Sequence, residues 1–268
     1  MSNDVIFDRL SAPELLLSIF DSAREPVLSA AYLVAAGELF DIDSRALRVA
    51  LGRLVKTGVL SQVGRGQYGI GSAGERLHQT VRAWRNVEDE LVPWRGGWLA
   101  IYAGALGRAD KTAVRGRERA LRILGFAALD HGLLWVRPDN LATGLAGARR
   151  RLLDLGLDSD SLALHIDAAE PTGAIDPARL WNTPMLESRY ATRLTQLRAS
   201  RTRIPSLTPQ DAAREALAVG RAVTRDILID PLLPQEMVDT GLRRRMIDEM
   251  IDYDRLAKAY WANLMESV

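Results

Sequence analysis

The stretch Ser44–Gly58, SRALRVALGRLVKTG, decides how the front of this chain is read. At 100° per residue Leu47, Ala50, Leu51 and Leu54 fall on one apolar stripe, while Arg45, Arg48, Val49, Gly52 and Lys56 line the opposite face, with Arg53 at its edge. The spacing predicts a helix with a core side and a cationic side. Asp43 stands just before it and suits the N-cap position, because its carboxylate accepts the unpaired amide hydrogens of the first turn. From Ser44 to Arg85 there are eight basic residues, Arg45, Arg48, Arg53, Lys56, Arg65, Arg76, Arg82 and Arg85, against one acid, Glu75. The whole chain has a net charge of only +1, so this positive excess is local. An asymmetry of that kind points to a polyanionic partner. Charge alone is a weak signal, since an outward face of Arg and Lys is commonly just solvated. The pattern on either side adds the rest.

Upstream, Ser11-Ala12-Pro13-Glu14 is a capping-box pattern that opens a helix through about Phe20, and Arg24-Glu25-Pro26 breaks it. A second helix follows Ser29 and buries Leu33, Ala36 and Phe40, with Asp41-Ile42-Asp43 as the turn into the third. Downstream, Val59–Val63 and Gln67–Ile70 flank Gly64-Arg65-Gly66, a short hairpin with one arginine at its tip. Ser72-Ala73-Gly74-Glu75 then reads as the cap of a further helix carrying Leu77, Val81 and Trp84, which leads into the polar stretch Asn86–Glu90. Three helices, a basic third helix and a hairpin together read as a winged helix-turn-helix over residues 1–90.

The middle of the chain, residues 91–172, reads as strand, helix, strand, strand, helix, strand. Trp98–Ala105, Phe126–Leu129, Leu133–Arg137 and Leu162–Ala168 are the strands, and Asp110–Leu124 and Asn140–Leu155 the helices. That order fits a ferredoxin-like βαββαβ unit. Residues 173–268 give helical signals: Asp176-Pro177 and Thr208-Pro209 are starts, Asp230-Pro231 is an end, and a long run begins at Thr240. In that run Arg243-Arg244-Arg245 precedes Asp248, Glu249, Asp252 and Asp254, which reads as a salt-bridged helix surface or dimer face. The fold class is therefore α+β, with a helical C-terminal domain.

Composition sets outer bounds. With 47% apolar and 26% charged residues over 268 positions, the chain has enough apolar side chains for sizeable cores. It contains no cysteine, which rules out disulfides and thiolate metal sites and agrees with a cytoplasmic location. The N-terminus, with Asp4 and Asp8, lacks the basic flank and apolar run of a signal peptide, and no membrane partner is expected.

The residues resemble the PaaX-like transcriptional regulators, the phenylacetic-acid-degradation repressors. The likeness rests on Asp43–Val55 with Gly58-Val59-Leu60 and the glycine-bearing hairpin, on Trp94-Arg95-Gly96-Gly97-Trp98, and on Arg119–Phe126 with Leu134-Trp135-Val136-Arg137-Pro138. Leu180-Trp181, Tyr190 and Asp230-Pro231-Leu232-Leu233-Pro234 look like further landmarks of that family. The resemblance implies a repressor of a catabolic operon such as that for phenylacetate, released from double-stranded DNA by a small acyl-coenzyme A thioester. No cofactor and no enzymatic activity are expected, since the sequence has no Gly-Lys-Ser/Thr phosphate loop, no His-Glu-x-x-His and no Gly-x-Ser-x-Gly.

On this reading Ser44, Arg45, Arg48, Gly52, Arg53, Lys56 and Arg65 contact DNA. Recognition helices enter the major groove N-terminal end first, so Arg45 and Arg48 reach base edges, Gly52 leaves room for close approach, and Arg53 and Lys56 hold phosphates. Arg65 probes the minor groove or its phosphates. One such module neutralises few phosphates, so a homodimer on two half-sites is expected. Effector residues stay unassigned. Arg115, Arg117, Arg119 and Arg122 are read as facing water, and Trp94, Trp98, Trp135 and Trp181 as core packing. The rival class is a metal-dependent nuclease built on the central domain, through Asp130-His131 or His165-Ile166-Asp167, and the spacing of those residues matches no established motif. A third reading, a winged helix that binds only protein, is told apart by the absence of salt-dependent DNA binding.

Overall fold

The computed structural model describes residues 10–23, 25–104, 106–107, 109–171 and 173–266; the side chains of residues 76, 77, 80, 130 and 263–266 are not described. The expectations for Asp4, Asp8 and Arg24, and those for the side chains of Arg76, Leu77 and Asp130, therefore lie outside the described residues. The protein is a mixed α/β chain whose C-terminal region is helical. It divides into two compact units. One takes in the described residues of Met1–Arg85, Arg193–Thr224 and Ile247–Val268, and the other Asn86–Thr192 and Arg225–Met246.

In the first unit the order is α1 (Ala12–Ser22), β1 (Val27–Ser29), α2 (Ala30–Glu38), α3 (Ser44–Lys56), β2 (Leu60–Gly64), β3 (Gln67–Ile70) and α4 (Ser72–Arg82). The caps are local chemistry. Glu14 accepts hydrogen bonds from both the amide and the hydroxyl of Ser11, Ser29 Oγ accepts from the Tyr32 amide, and Asp43 Oδ1 accepts from the amides of Arg45 and Ala46. The stripe expected of α3 is buried at Leu47, Ala50 and Leu51 and partly at Leu54. It closes on Leu15, Leu16, Ile19 and Phe20 of α1 and Leu33 and Ala36 of α2. Three strands form an antiparallel sheet in the order β1-β3-β2, with Leu28 opposite Tyr68 and Leu60 opposite Ile70. The third strand, β1, was not expected; it is only three residues long, too short for alternation to show.

Helix α4 does not begin as the sequence suggested. Its N-cap is Gly71, Ser72 is already helical, and no side chain caps the turn. The reason is space. A Cβ on Gly71 would lie 2.2 Å from the carbonyl oxygen of Gly58, and one on Gly74 would lie 2.2 Å from that of Val59, so the start of α4 rests directly on the backbone entering β2.

In the second unit β4 (Trp98–Tyr102), α5 (Lys111–Ile123), β5 (Ala127–Leu129), β6 (Leu134–Pro138), α6 (Gly144–Asp154) and β7 (Leu162–Ile166) follow in the expected order. The sheet order is β5-β6-β4-β7 and every pairing is antiparallel. Leu99, Ile101 and Trp135 from the sheet share one core with Ala120 and Leu121 of α5 and Ala148 and Leu152 of α6, which puts both helices on one face. Helix α6 starts at Gly144 rather than Asn140, because the backbone at Asn140 and Ala142 is hydrogen-bonded to Val92 and Glu90.

The helical region comprises α7 (Pro177–Trp181), α8 (Thr183–Arg203), α9 (Pro209–Leu228) and α10 (Thr240–Glu266). Asp176 caps α7 with Pro177 in its first turn. Residues 173–268 were expected to form a domain of their own, but the unit boundaries fall inside α8, α9 and α10. The cause lies in the first unit's core, which is completed by Ala213 and Leu217 of α9 and Trp261 of α10, the last in edge-to-face contact with Tyr32. The three consecutive arginines also differ from expectation. Arg243 is buried and bonds Glu88 and the Leu233 carbonyl, Arg244 pairs with Glu88, and Arg245 lies 3.9 Å from Asp239. Glu249 is instead taken by Arg198 and Arg201, and Asp254 by Arg85 and Lys258. Among the described residues no helix is long and apolar enough to cross a membrane.

Candidate nucleic-acid interface

The face of α3 opposite its buried stripe is open. Arg45, Arg48, Val49, Gly52, Arg53 and Lys56 are exposed and Ser44 is half-buried. Among the described residues no carboxylate pairs with the side chains of Arg45, Arg48, Arg53 or Lys56. The nearest acid along the chain, Asp43, is committed to the N-cap, and Asp41 pairs with Arg214 at 2.9 Å. A Cβ on Gly52 would meet nothing within 4 Å, so the middle of the face is free of overhanging atoms. Val49 is 49% exposed between the arginines, an apolar group that the sequence reading placed on this face without giving it a role. Its signal was a β-branched side chain alone on a polar face.

The hairpin of β2 and β3 turns through Arg65 and Gly66, with Gly64 opposite Gln67 and Gly66 at φ +67°. Arg65 is exposed and, among the described residues, also lacks an acidic partner. Arg82 and Arg85 behave otherwise. Arg85 is tied to Asp254 at 2.5 Å and lies over the Trp84 ring, and Arg82 lines a cleft of about 390 Å³ with Phe20, Val27, Val63, Ile70 and His78. His78 Nδ1 sits 2.7 Å from Asp21, whose carboxyl is pushed above its usual range by burial, with the histidine opposing the shift. A second cleft of about 690 Å³ runs beside the start of α3, between Leu10, Phe40, Ile42, Ala46, Leu207 and Arg214.

In the second unit several of the residues considered for other roles have firm structural partners. Arg117 was read as facing water, but it is 4% exposed and forks onto Asp158 at 2.6 and 3.3 Å. The reason is position on the helix: Arg117 precedes the buried Ala120 and Leu121 by three and four residues, which places it on the inner side. Arg115, Arg119 and Arg122 are exposed. Trp98 and Trp135 are buried; Trp94 meets Trp98 edge-on, and Trp181 stacks on Trp98 at 6.2 Å and donates to the Gly125 carbonyl. Tyr190 and Asp230 meet in a buried hydrogen bond of 2.6 Å, and Asp230 also accepts from the Leu232 amide. Arg137, at 1% exposure, donates to Leu124, Pro138 and Asn140, and burial lowers its pKa to about 9.

The histidine pairings considered for catalysis differ in kind. His165 lies 3.0 Å from Asp139 through Nε2 and 3.3 Å from Asp167 through Nδ1. The two carboxylates thus occupy opposite ring nitrogens rather than converging on one point. Among the described residues no group of three or more His, Cys, Asp or Glu side chains is placed to hold a metal ion.

No family model matches the chain, and no curated protein matches it. Among solved structures it is similar to the uncharacterized protein Rv0674 from Mycobacterium tuberculosis, at 22% identity and a TM-score of 0.62, over 93% of this chain and 98% of that one. At that identity the likeness concerns fold alone.

Proposed function

We propose that this protein is a DNA-binding transcriptional regulator of the PaaX-like kind, with α1–α3 and the β2–β3 hairpin serving as a winged helix-turn-helix and the four-stranded unit as a ferredoxin-like domain. The single observation that carries the reading is the unpaired cationic face of α3, with four exposed basic side chains and no acidic neighbour for them among the described residues. Ordinary solvated helices interleave both signs, and elsewhere in this chain arginines find carboxylates readily, as Arg198, Arg203, Arg214 and Arg221 do. A face left uncompensated is one that can neutralise backbone phosphates and release the counterions condensed on them. The order β5-β6-β4-β7, with two helices on one face, supports the ferredoxin-like assignment.

In this reading Arg45 and Arg48 contact base edges, and a bidentate arginine to guanine contributes roughly 1–3 kcal/mol of discrimination. Val49 adds an apolar contact suited to a thymine methyl group. Ser44, Arg53 and Lys56 meet phosphates, Gly52 lets the helix backbone approach, and Arg65 follows the adjacent groove from the hairpin tip. The protein acts as a homodimer on two half-sites in the cytoplasm, represses a catabolic operon, and is released by an acyl-coenzyme A thioester. It has no catalytic role.

The test is a pair of substitutions. Arg48→Ala is expected to lower affinity for a selected operator by about tenfold or more and to blur sequence preference, whereas Lys56→Ala weakens all duplexes alike and lowers the salt slope by about one. Gel-shift titrations in which both variants bind as wild type does would remove the assignment.

A further inference from the structure

Helix α5 carries a second cationic stripe that the proposed function does not use. Lys111, Arg115, Arg119 and Arg122 are all exposed, and at 100° per residue they fall within an arc of about 80°, opposite the inner side formed by Arg117, Ala120 and Leu121. From Lys111 to Arg122 the stripe runs about 16 Å along the helix axis. Arg122 has Glu118 at 3.9 Å and lies over the Trp135 ring at 5.2 Å. For Lys111, Arg115 and Arg119 there is no acidic partner among the described residues. Asp110, which precedes Lys111, spends its carboxylate on the amides of Thr112 and Ala113 as the N-cap, and Glu118, on the same face, is the acid that Arg122 meets. Beside the stripe, a Cβ on Gly116 would meet nothing within 4 Å, so the surface there is open.

Like charges at i,i+4 on a helix repel by roughly 0.2–0.5 kcal/mol a pair. Lys111–Arg115 and Arg115–Arg119 are two such pairs, and Arg119–Arg122 adds one at i,i+3. Glu118 offsets part of this through Arg122, and the repulsion left among Lys111, Arg115 and Arg119 is one that a row of anions would relieve. A compact nucleotide needs walls around it, and neither cleft described above includes a residue of α5. A straight, unwalled stripe suits a linear polyanion instead.

We propose that Lys111, Arg115 and Arg119 on α5 form a second, sequence-independent contact surface for the phosphate backbone of duplex DNA. This rests on the reading of the protein as a DNA-binding regulator. It adds affinity and salt dependence without adding sequence preference.

The experiment compares wild type with a Lys111→Ala/Arg115→Ala/Arg119→Ala chain, an Arg115→Lys/Arg119→Lys chain and Arg48→Ala. Fluorescence anisotropy is measured on a random-sequence duplex and a selected operator across a salt series, with coenzyme A titrated separately by calorimetry. The alanine triple is expected to lower the slope of log K against log salt by about 2–3, since each lost phosphate contact removes about 0.9. It should bind both duplexes at least tenfold more weakly at low salt and keep the wild-type ratio between them. Its melting temperature should not fall, because repulsion is removed and alanine favours helix. The lysine double should retain the wild-type slope. An alanine triple with an unchanged slope overturns the α5 proposal. So does a triple that loses coenzyme A binding but keeps its DNA slope, which would make the stripe a nucleotide site. If Arg48→Ala abolishes sequence preference while the triple changes nothing, only α5 fails; if the triple lowers the slope and Arg48→Ala changes nothing, the role of α3 fails and α5 stands.

Discussion

Asp158 and Arg117 show how a single ion pair fixes a side chain that sequence leaves ambiguous. Arg117 is nearly enclosed, and the hydrogen bond it donates holds the Asp158 carboxyl below its ordinary value. A carboxyl depressed in the folded state contributes stability above its unfolded pKa, near 4, and that contribution disappears as pH falls through the folded value. Asp158→Asn is therefore expected to flatten the acid limb of stability below about pH 4 and to cost about 1–3 kcal/mol near neutrality, discounted because Asp158 is one-third exposed. Urea unfolding across a pH series measures both effects; a variant with the wild-type acid limb would show that the pair is slack. Arg117 was read as facing water although Ala120, Leu121 and Leu124, three, four and seven residues on, set it on the inner side of the helix. Its partner, 41 residues away, was not legible. The same limit applies to Tyr190 and Asp230, which stood out in the sequence separately and meet only in the fold.

At the scale of elements, α3 was legible almost to its ends because its pattern is long, periodic and capped by Asp43. Strand β1 and the start of α4 were not, since three residues show no period and the close approach of Gly71 to Gly58 depends on a tertiary contact. Gly52 offers a prediction that separates fold from function. It sits inside a helix with nothing for a Cβ to strike, so Gly52→Ala should raise stability by about 0.5–1 kcal/mol. If the helix backbone approaches DNA there, the same variant should bind the operator several-fold more weakly. Thermal melting and a binding titration on one preparation read the two effects; greater stability with unchanged affinity would place the Gly52 face away from the duplex.

For the whole molecule, the order of strands and helices followed from hydrophobic periodicity in the four-stranded unit and, apart from β1, in the first ninety residues, whereas the partition of the C-terminal third did not. Helices of 21, 20 and 27 residues give strong helical signals but no indication of which core receives each part, and Trp261 completes a core whose other members begin near residue 15. The charge distribution was more informative. Five basic residues of the segment Ser44–Arg85, namely Arg45, Arg48, Arg53, Lys56 and Arg65, remain exposed and without acidic partners among the described residues. The direct test is to titrate the wild-type protein with random-sequence duplex at about 50 and 200 mM salt. An exposed cationic face that displaces counterions should make log K fall linearly with log salt, by about 0.9 for each phosphate contacted. Binding that is absent, or that does not change with salt, would contradict a role for this face in holding DNA.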